Sequence, residues 1–190
     1  MPMKIISKPI TERVFTKSDG TTGTRYARRT KPVKYIIVHY LGDAHANSRA
    51  LPTAKAMQTS KRSVSTHYIV GVDGVYNLLD PEKYVAYHCP YSPDNASPAC
   101  NSNAIGVDLA EFKTFTNSNS VQDADWQFCE KVLDDGAHLI AELCKRFDIP
   151  ICNVVRHFDV TGKLCPRPFT YGGKHDLEWI KFKDEIRGLL

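Results

Sequence analysis

The chain has 190 residues, of which 42% are hydrophobic and 24% charged, which suits one domain with a sizeable core. Lysine and arginine exceed aspartate and glutamate by 25 − 21 = 4, a mild excess, and without a nucleic-acid motif it predicts no nucleic-acid partner. A run of about 18 apolar residues, as a membrane span needs, does not occur, and the first residues lack the apolar segment of a secretory signal peptide.

The first third of the chain predicts a polar arm, a strand and a short helix. Residues 1–31 are polar and include the turn-rich stretch KSDGTTGT, which predicts an N-terminal arm or short hairpin packed on a domain that spans 32–190. The run KYIIVHYLG (Lys34–Gly42) is rich in β-branched and aromatic residues and predicts a buried strand. The stretch Ser48–Arg62 can form a helix after Pro52.

The middle of the chain predicts a hairpin, a loop and a further strand. The segment STHYIVGVDGVYNLLD (Ser65–Asp80) reads as two strands joined by a turn at Asp73 and Gly74. Proline, serine and asparagine predict a loop over Pro90–Asn103. The stretch AIGVDLAEF (Ala104–Phe112) then predicts another strand.

The last third predicts two amphipathic helices. Apolar residues recur at three- and four-residue spacing between Gln122 and Phe147, which predicts one long helix there. A second helix is predicted near the C-terminus, and its inward-facing residues are predicted to be Leu177, Ile180, Phe182 and Ile186. The mixture of strands and helices, without an internal repeat or a linker, indicates a single α/β domain.

The spacing of the cysteines matches no known metal-binding or disulfide pattern. A C-x-x-C pair does not occur, which argues against zinc ribbons and thioredoxin-like sites. Cys129 and Cys144 lie in the predicted long helix and are expected to be buried as small apolar residues. Cys89 and Cys100 flank the predicted loop, where both a disulfide and two free thiols remain open.

Two histidines at predicted strand ends and one cysteine in a loop form a candidate metal site. His39 lies near the end of the buried strand, His157 follows the stretch NVVR, and Cys165 precedes a proline. Imidazole and thiolate are preferred zinc ligands, and three protein ligands with an open fourth position are typical of catalytic zinc. From the residues alone, His39 could also be a core histidine, and His67 and His88 compete as ligands because spacing cannot choose among them.

A lysine and an acid near these residues are candidates for the chemistry itself. Lys163 lies two residues before Cys165 and could stabilise an oxyanion, although an exposed lysine without a role fits the sequence too. Asp108 lies between apolar residues of a predicted strand, and burying an unpaired carboxylate there would be costly. It is therefore a candidate general base. Glu111 is an alternative, but the strand period of two puts it on the opposite face.

Five blocks of the sequence, in order between Pro32 and Phe169, resemble the zinc-dependent type-2 N-acetylmuramoyl-L-alanine amidase family. KYIIVHYLG looks like the family's first zinc-ligand strand, VSTHYIVGVDG like its S-x-H-[YFC]-x-[IV]-x-x-D-G hairpin, and VAYHC like its A-W-H segment, with Tyr87 in place of tryptophan. CNSNAIGVDL resembles the N-x-x-S-I-G-I-E-[LM] strand, and VVRHFDVTGKLCP is similar to the H-x(5)-K-x-[CD]-P signature. The blocks are most similar to those of phage and prophage endolysins of Gram-positive bacteria.

The resemblance implies a fold, a cofactor and a set of site residues. The fold is an α/β domain with a central mixed β-sheet flanked by helices, as in peptidoglycan recognition proteins. The cofactor is Zn²⁺, with His39, His157 and Cys165 as its ligands. The resemblance also implies Lys163 as the residue that stabilises the oxyanion and Asp108 as the catalytic acid and base.

Two positions depart from the family pattern. The acid that matches Asp108 is usually glutamate, so the carboxylate here stands on a shorter arm. In the phage-lysozyme branch a catalytic tyrosine precedes the hairpin histidine, and this chain has Thr66 there, so no tyrosine role is carried over. Thr66, His67 and His88 then become candidates for contacts with the substrate or for support of the site.

The implied reaction is hydrolysis of the amide between N-acetylmuramic acid and L-alanine in peptidoglycan by an endolysin that degrades the cell wall. We expect a monomer that does not insert into a membrane, is made in the bacterial cytoplasm and acts on the wall after release. The alternatives are a peptidoglycan-binding module without activity and a cytoplasmic muropeptide-recycling amidase. The recycling branch more often has aspartate as its third ligand, so Cys165 favours the lysin, and the presence of a third ligand argues against a pure binding module.

Overall fold

A computed structural model describes residues 4–190 of the chain. Its strands are β1 (Ile5–Ser7), β2 (Val14–Thr16), β3 (Thr22–Thr24), β4 (Tyr26–Arg28), β5 (Tyr35–Tyr40), β6 (Tyr68–Gly71), β7 (Gly74–Asn77), β8 (Tyr84–Ala86), β9 (Ala104–Leu109), β10 (Phe112–Lys113), β11 (Trp126–Gln127) and β12 (Val154–Arg156). Its helices are α1 (Leu51–Thr59), α2 (Glu130–Phe147), α3 (His157–Thr161) and α4 (Leu177–Gly188). Short 3₁₀ turns cover Ile151–Asn153, Arg167–Phe169 and Gly173–His175.

Among the described residues, six strands form a central mixed sheet in the order β1-β7-β6-β9-β5-β12. Strands β6, β9, β5 and β12 are parallel neighbours, and β7 pairs antiparallel with β6. Strands β5 and β9 pair along their whole length, with His39 directly opposite Asp108. Every residue of β9 is buried, as expected for a strand covered on both faces of a sheet. The predicted fold class, a central mixed sheet flanked by helices, is confirmed.

Helices and loops cover the two faces of the sheet. On one face α2 and α4 pack over a core that includes Ile36, Val38 and Val107. On the other face, Ile69 packs with α1 and the N-terminal segment, while Ile37 packs beneath α3 and the loop before β9. Helix α2 ends at Phe147, because the next residue, Asp148, adopts the left-handed conformation at φ 52°.

The N-terminal segment packs on the domain through strand pairing. β1 joins the edge of the central sheet in parallel with β7, β2 and β3 form a hairpin, and β4 pairs with β8. The arm or hairpin expected over 1–31 is therefore built into the domain from residue 4 onward. The first three positions of that prediction lie outside the described residues.

The hairpin predicted over Ser65–Asp80 forms, since β6 and β7 meet at a turn that contains Gly74 at φ 133°. The predicted start of the long helix at Gln122 is wrong, because α2 begins at Glu130. The carboxylates of Asp123 and Asp125 bind an ammonium and loop N–H groups, and these bonds compete with helix formation.

The predicted inward face of the C-terminal helix is partly wrong. Leu177 and Ile180 are 69% and 43% exposed, whereas Trp179 is buried with Phe182 and Ile186. Spacings of three and four residues keep these three buried residues on one stripe of the helix. Within residues 4–190, no helix is long and apolar enough to cross a membrane.

Candidate metal centre and cleft

Three side chains from adjacent elements meet at one end of the sheet. His39 lies near the end of β5, and His157 begins α3 directly after β12, the parallel neighbour of β5. Cys165 lies in the loop after α3. All three residues are buried, and their ligand atoms lie within 4.8 Å of one another. The predicted ligand set is thus brought together, in an arrangement that could hold a metal ion.

The hydrogen bonds around the cluster show which atoms face its centre. The Sγ atom of Cys165 lies 3.6 Å from Nδ1 of His39, and the other ring nitrogen of His39, Nε2, lies 2.9 Å from Nδ1 of His88. Nδ1 of His157 is buried and has no hydrogen-bond partner among the described residues. Buried polar atoms are rarely left unpaired, and a metal ion in the cluster would give this nitrogen a partner. Two imidazole nitrogens and one thiol sulfur form a donor set that fits zinc.

Burial keeps the two histidine ligands neutral, as metal binding requires. It lowers the pKa of His39 well below 6.5, helped by the nearby charges of His88, His157 and Lys163, and it lowers the pKa of His157 to about 4. Burial raises the pKa of the Cys165 thiol to about 12. Without a metal the thiol therefore keeps its proton, and binding of a metal ion must release it.

Asp108 stands beside the cluster on β9 and is 7% exposed. Burial raises the pKa of its carboxyl to about 7, although the Thr66 hydroxyl and the charge of Lys163 act to lower it. A carboxyl with a pKa near neutrality can both accept and return a proton. Thr66 is itself buried.

Lys163 stands at the rim of the cluster. It is exposed, and within residues 4–190 its ammonium has no carboxylate within salt-bridge distance. Its charge nevertheless reaches the buried groups, since it acts on the pKa of His157 and of Cys165. The structure therefore brings the predicted lysine to the predicted ligands.

These residues line a cleft of about 520 Å³. The residues of the metal cluster, Asp108, Lys163 and His88 form part of its surface. The remaining lining residues include Tyr40, Leu41, Gly42, Met57, Val64, Ser65, Val121, Gln122 and Leu164. These residues could not be predicted from the sequence, because no motif marks side chains that only the folded chain brings to one surface.

For His67 and Thr66, the structure favours support of the site over contact with the substrate. His67 is fully buried, its Nδ1 accepts a hydrogen bond from the N–H of Gly106 at 3.0 Å, and its Nε2 lies 3.1 Å from the carbonyl oxygen of Tyr84. Neither His67 nor Thr66 lines the cleft, so both support the site from behind its surface. His88 does line the cleft and is the one of the three candidates that contacts a predicted ligand.

Glu111, the alternative acid, has a structural role. Its side chain is fully buried, and its two carboxylate oxygens accept hydrogen bonds from the N–H groups of Leu41 and Asp43 at 2.8 and 2.7 Å. These bonds hold the loop that follows the strand of His39. Cys89 and Cys100 are both free thiols, so the open question of a disulfide between them is answered by two buried, unpaired cysteines.

Comparison with known proteins gives concordant matches in sequence and in structure. Residues 29–168 match the family model of N-acetylmuramoyl-L-alanine amidases. The chain is 28% identical over 171 residues to the amidase CwlL of Bacillus licheniformis, covering 87% of this chain and 44% of CwlL. A probable N-acetylmuramoyl-L-alanine amidase of the same species is 30% identical over 146 residues, covering 72% of this chain and 37% of the relative. The chain thus spans less than half of the length of these relatives.

Solved structures show the same fold. A mutant of PlyL matches with a TM-score of 0.68 at 23% identity, covering 97% of this chain and 99% of that chain. The catalytic domain of XlyA matches with a TM-score of 0.68 at 22% identity, with the same coverage of both chains. The Escherichia coli amidase AmiD, solved with anhydro-N-acetylmuramic acid-L-Ala-D-γ-Glu-L-Lys, matches with a TM-score of 0.55 at 19% identity, covering 91% of this chain and 65% of that chain. Because the family model matches most of the chain, the chain belongs to the N-acetylmuramoyl-L-alanine amidase family.

Proposed function

We propose that the chain is a zinc-dependent amidase that hydrolyses the bond between N-acetylmuramic acid and L-alanine in peptidoglycan. The observation that carries the proposal is the cluster of His39, His157 and Cys165 in a cleft that also contains Asp108 and Lys163. Membership of the amidase family supports the reaction, and the AmiD complex supports a muropeptide as the ligand of this fold.

Zinc would be held by the three residues of the cluster. Bound there, it would polarise the scissile carbonyl and lower the pKa of a water molecule, which is the chemistry that zinc supplies in hydrolases. The two neutral imidazoles and one thiolate carry a single negative charge. The loaded site therefore keeps a net positive charge, which favours anionic species at the reacting carbon.

Asp108 acts as the general base and acid. Its carboxylate accepts a proton from the attacking water and returns it to the leaving amine of L-alanine. The Thr66 hydroxyl favours the ionised form of this carboxyl. The shorter side chain of aspartate stands on β9, directly opposite His39.

Lys163 stabilises the charge that develops on the carbonyl oxygen. Because its ammonium has no salt-bridge partner among the described residues, it is free to interact with an oxyanion in the cleft. His88 orients His39. With Nδ1 of His39 facing the cluster, the proton of that ring lies on Nε2 and is donated to Nδ1 of His88.

The biological role that fits this chemistry is an endolysin. We infer that the protein is made in the cytoplasm, acts as a monomer on the cell wall after release, and is of phage or prophage origin. The solved structures that share this fold include a mutant endolysin from Bacillus subtilis, which supports this role. A cytoplasmic recycling amidase and a binding module without activity are the alternatives.

Mass analysis of digested peptidoglycan tests the function. We expect zinc-loaded protein to release new amino termini of L-alanine, and Cys165→Ser to release almost none because the third ligand is lost. Walls of several chemotypes, compared under the same conditions, would rank the substrates. If wild-type protein binds muropeptides with equal affinity in the presence of zinc or a chelator and frees no L-alanine termini, it is a binding module and the proposal is wrong.

A further inference from the structure

A loop whose last four residues were predicted to be helical forms part of the cleft. Residues 114–125, here named the cleft loop, connect β10 to β11. Val121 and Gln122 from this loop line the same cleft as His39 and Asp108. The cleft loop therefore faces any substrate that reaches the metal cluster.

A buried ammonium pins the cleft loop at its base. The Nζ atom of Lys113 lies 2.5 Å from Oδ2 of Asp123, 3.2 Å from Oδ1 of Asp125 and 2.7 Å from the carbonyl oxygen of Ser118. The same ammonium lies 4.5 Å from the ring centroid of Trp126, and the Lys113 side chain is completely covered. One cation thus joins three points of the cleft loop to the strand on which it sits.

Further bonds hold the backbone of the cleft loop. Oδ2 of Asp125 accepts hydrogen bonds from the N–H groups of Phe115 and Thr116 at 2.9 and 2.8 Å. Burial acts to raise the pKa of Asp125, but these N–H groups and the ammonium outweigh it and hold that pKa at about 2, so the carboxylate is ionised. At the far side, Oδ1 of Asn119 accepts a hydrogen bond from the N–H of Ala44 at 2.7 Å. The cleft loop is thus fixed at both ends and to the loop after β5.

The two side chains that line the cleft do not take part in the bonds that hold the cleft loop. Gln122 is exposed, and within residues 4–190 its side-chain amide makes no hydrogen bond. Val121 is half-buried and adds an apolar surface next to it. Because the loop that carries these two residues is already fixed, their side chains bind a ligand with less loss of conformational freedom.

The chemistry of this wall matches a peptide. A glutamine amide has a donor and an acceptor, which is the pair that each peptide unit offers in return. Val121, Met57 and Val64 give the cleft apolar lining that suits small aliphatic side chains such as the methyl group of alanine. We propose that the cleft loop is a specificity wall, in which Gln122 binds the backbone of the stem peptide and Val121 contacts its side chains; this rests on the proposed amidase function.

Binding of reaction products to the zinc-loaded protein tests the wall without requiring turnover. The probes are the free tripeptide L-Ala-D-γ-Glu-L-Lys and N-acetylmuramic acid, with affinities measured by calorimetry. Gln122→Ala should lower the affinity for the tripeptide roughly fivefold, because one hydrogen bond is lost. The affinity for N-acetylmuramic acid should not change. Asn117→Ala is the matched control, since Asn117 is an exposed amide of the same loop that does not line the cleft.

A second variant tests the pinning. Lys113→Met removes the ammonium and leaves two carboxylates facing each other, so the tripeptide should bind more weakly while the zinc content stays at one per chain. Three results would overturn the proposed specificity wall. Gln122→Ala could bind the tripeptide as tightly as wild type does, it could lose affinity for N-acetylmuramic acid equally, or wild type could fail to bind the tripeptide. Unchanged affinity in Lys113→Met would overturn its pinning.

The cleavage assay on peptidoglycan separates this inference from the proposed function. A wild type that binds the tripeptide through Gln122 and yet frees no L-alanine termini refutes the amidase function and keeps the wall. A wild type that frees these termini while Gln122→Ala binds the tripeptide normally refutes the wall alone.

Discussion

The two histidines of the metal cluster differ in what holds their rings. His39 is held from behind by a 2.9 Å hydrogen bond to His88, whereas the Nδ1 atom of His157 has no partner among residues 4–190. His88 in turn is held through its backbone, because Oδ1 of Asn101 accepts the N–H groups of His88 and Cys89 at 2.8 and 2.6 Å. The orientation of one candidate metal ligand thus depends on His88 and Asn101, which are not themselves among the candidate ligands.

We predict that His88→Phe lowers the affinity for zinc about 10- to 100-fold, as is usual when a partner that orients a metal-ligating histidine is removed. His88→Asn should retain most of the affinity, because its Oδ1 can accept the hydrogen bond from Nε2 of His39. Competition with a chromophoric chelator measures both variants. Equal zinc affinity in His88→Phe and wild type would show that His88 does not orient the ligand.

Asp108 is the acid on which the proposed proton transfers depend. We predict that Asp108→Asn lowers kcat about 10²- to 10⁴-fold, the usual contribution of a general base, with zinc content unchanged. Thr66→Val should have a smaller effect in the same direction, because the carboxylate remains but loses the hydroxyl that favours its ionised form. Steady-state kinetics on purified muropeptides give both values, and a kcat of Asp108→Asn close to that of wild type would assign the base elsewhere.

The burial of His67 predicts how the stability of the domain depends on pH. Burial lowers its pKa to about 3, against 6.5 in the unfolded chain, and both ring nitrogens are engaged with backbone groups. Above pH 6.5 both states are neutral. Between pH 6.5 and about 3, His67 is protonated in the unfolded state and neutral in the folded state. As the pH falls through this range, the free energy of unfolding therefore decreases by about 1.4 kcal/mol per pH unit.

Urea unfolding of metal-free wild type and His67→Gln between pH 7.5 and 5 measures this effect. Glutamine does not titrate, so the advantage of wild type should shrink as the pH falls below about 6.5. A difference between the two proteins that stays constant over this range would contradict the assignment of His67 as a buried neutral histidine.

At the scale of elements, the site is assembled by parallel strands and the segments that follow them. β5 and β12 end side by side, so the residues at their ends, His39 and His157, become neighbours. Helix α4 packs with α2 over the core of one sheet face. Asp176 caps its N-terminus, because its carboxylate accepts hydrogen bonds from the N–H groups of Trp179 and Gly172 at 3.0 and 2.9 Å. This cap sets where the helix starts and which residues face α2.

Loss of the cap should destabilise the domain without changing the cleft. We predict that Asp176→Ala lowers the free energy of unfolding by about 1–2 kcal/mol, because the cap residue is buried and two N–H groups lose their acceptor. Asp184→Ala, an exposed position of the same helix, should change it by less than about 0.5 kcal/mol. Urea unfolding compares the two variants. Equal effects on the free energy of unfolding would show that the cap does not stabilise the domain more than an exposed residue of the helix does.

For the whole molecule, the metal site joins parts of the chain that are far apart in sequence. Its three candidate ligands come from β5, α3 and the loop after α3. A metal that binds only the folded cluster therefore stabilises the entire domain, since the ligands are separated in the unfolded chain.

We predict that zinc at about 100 times its Kd raises the free energy of unfolding by about 2.7 kcal/mol over that of metal-free protein. A chelator should lower the Tm of wild type and have little effect on Cys165→Ser, which lacks one ligand. Thermal unfolding followed by circular dichroism provides the comparison. A wild-type Tm that does not respond to either zinc or chelator would show that the folded cluster does not bind this metal.

The sequence alone determined the residues whose chemistry is tied to local patterns. The strand of His39, the hairpin at Gly74 and the segment from His157 to Cys165 could be predicted, because apolar runs, turn residues and short motifs act within a few positions. The same patterns indicated the α/β class. The ligand set was implied by the resemblance to the amidase family, and the parallel pairing of β5 with β12 brings its two histidines together.

Only the tertiary structure decided the features that depend on contacts between distant residues. The start of α2 at Glu130 follows from the bonds of Lys113 with Asp123 and Asp125, and periodicity could not reveal that competition. The separate roles of His67 and His88 likewise follow from what surrounds each ring, because burial and hydrogen-bond partners, rather than residue type, determine whether a histidine supports a core or orients a ligand.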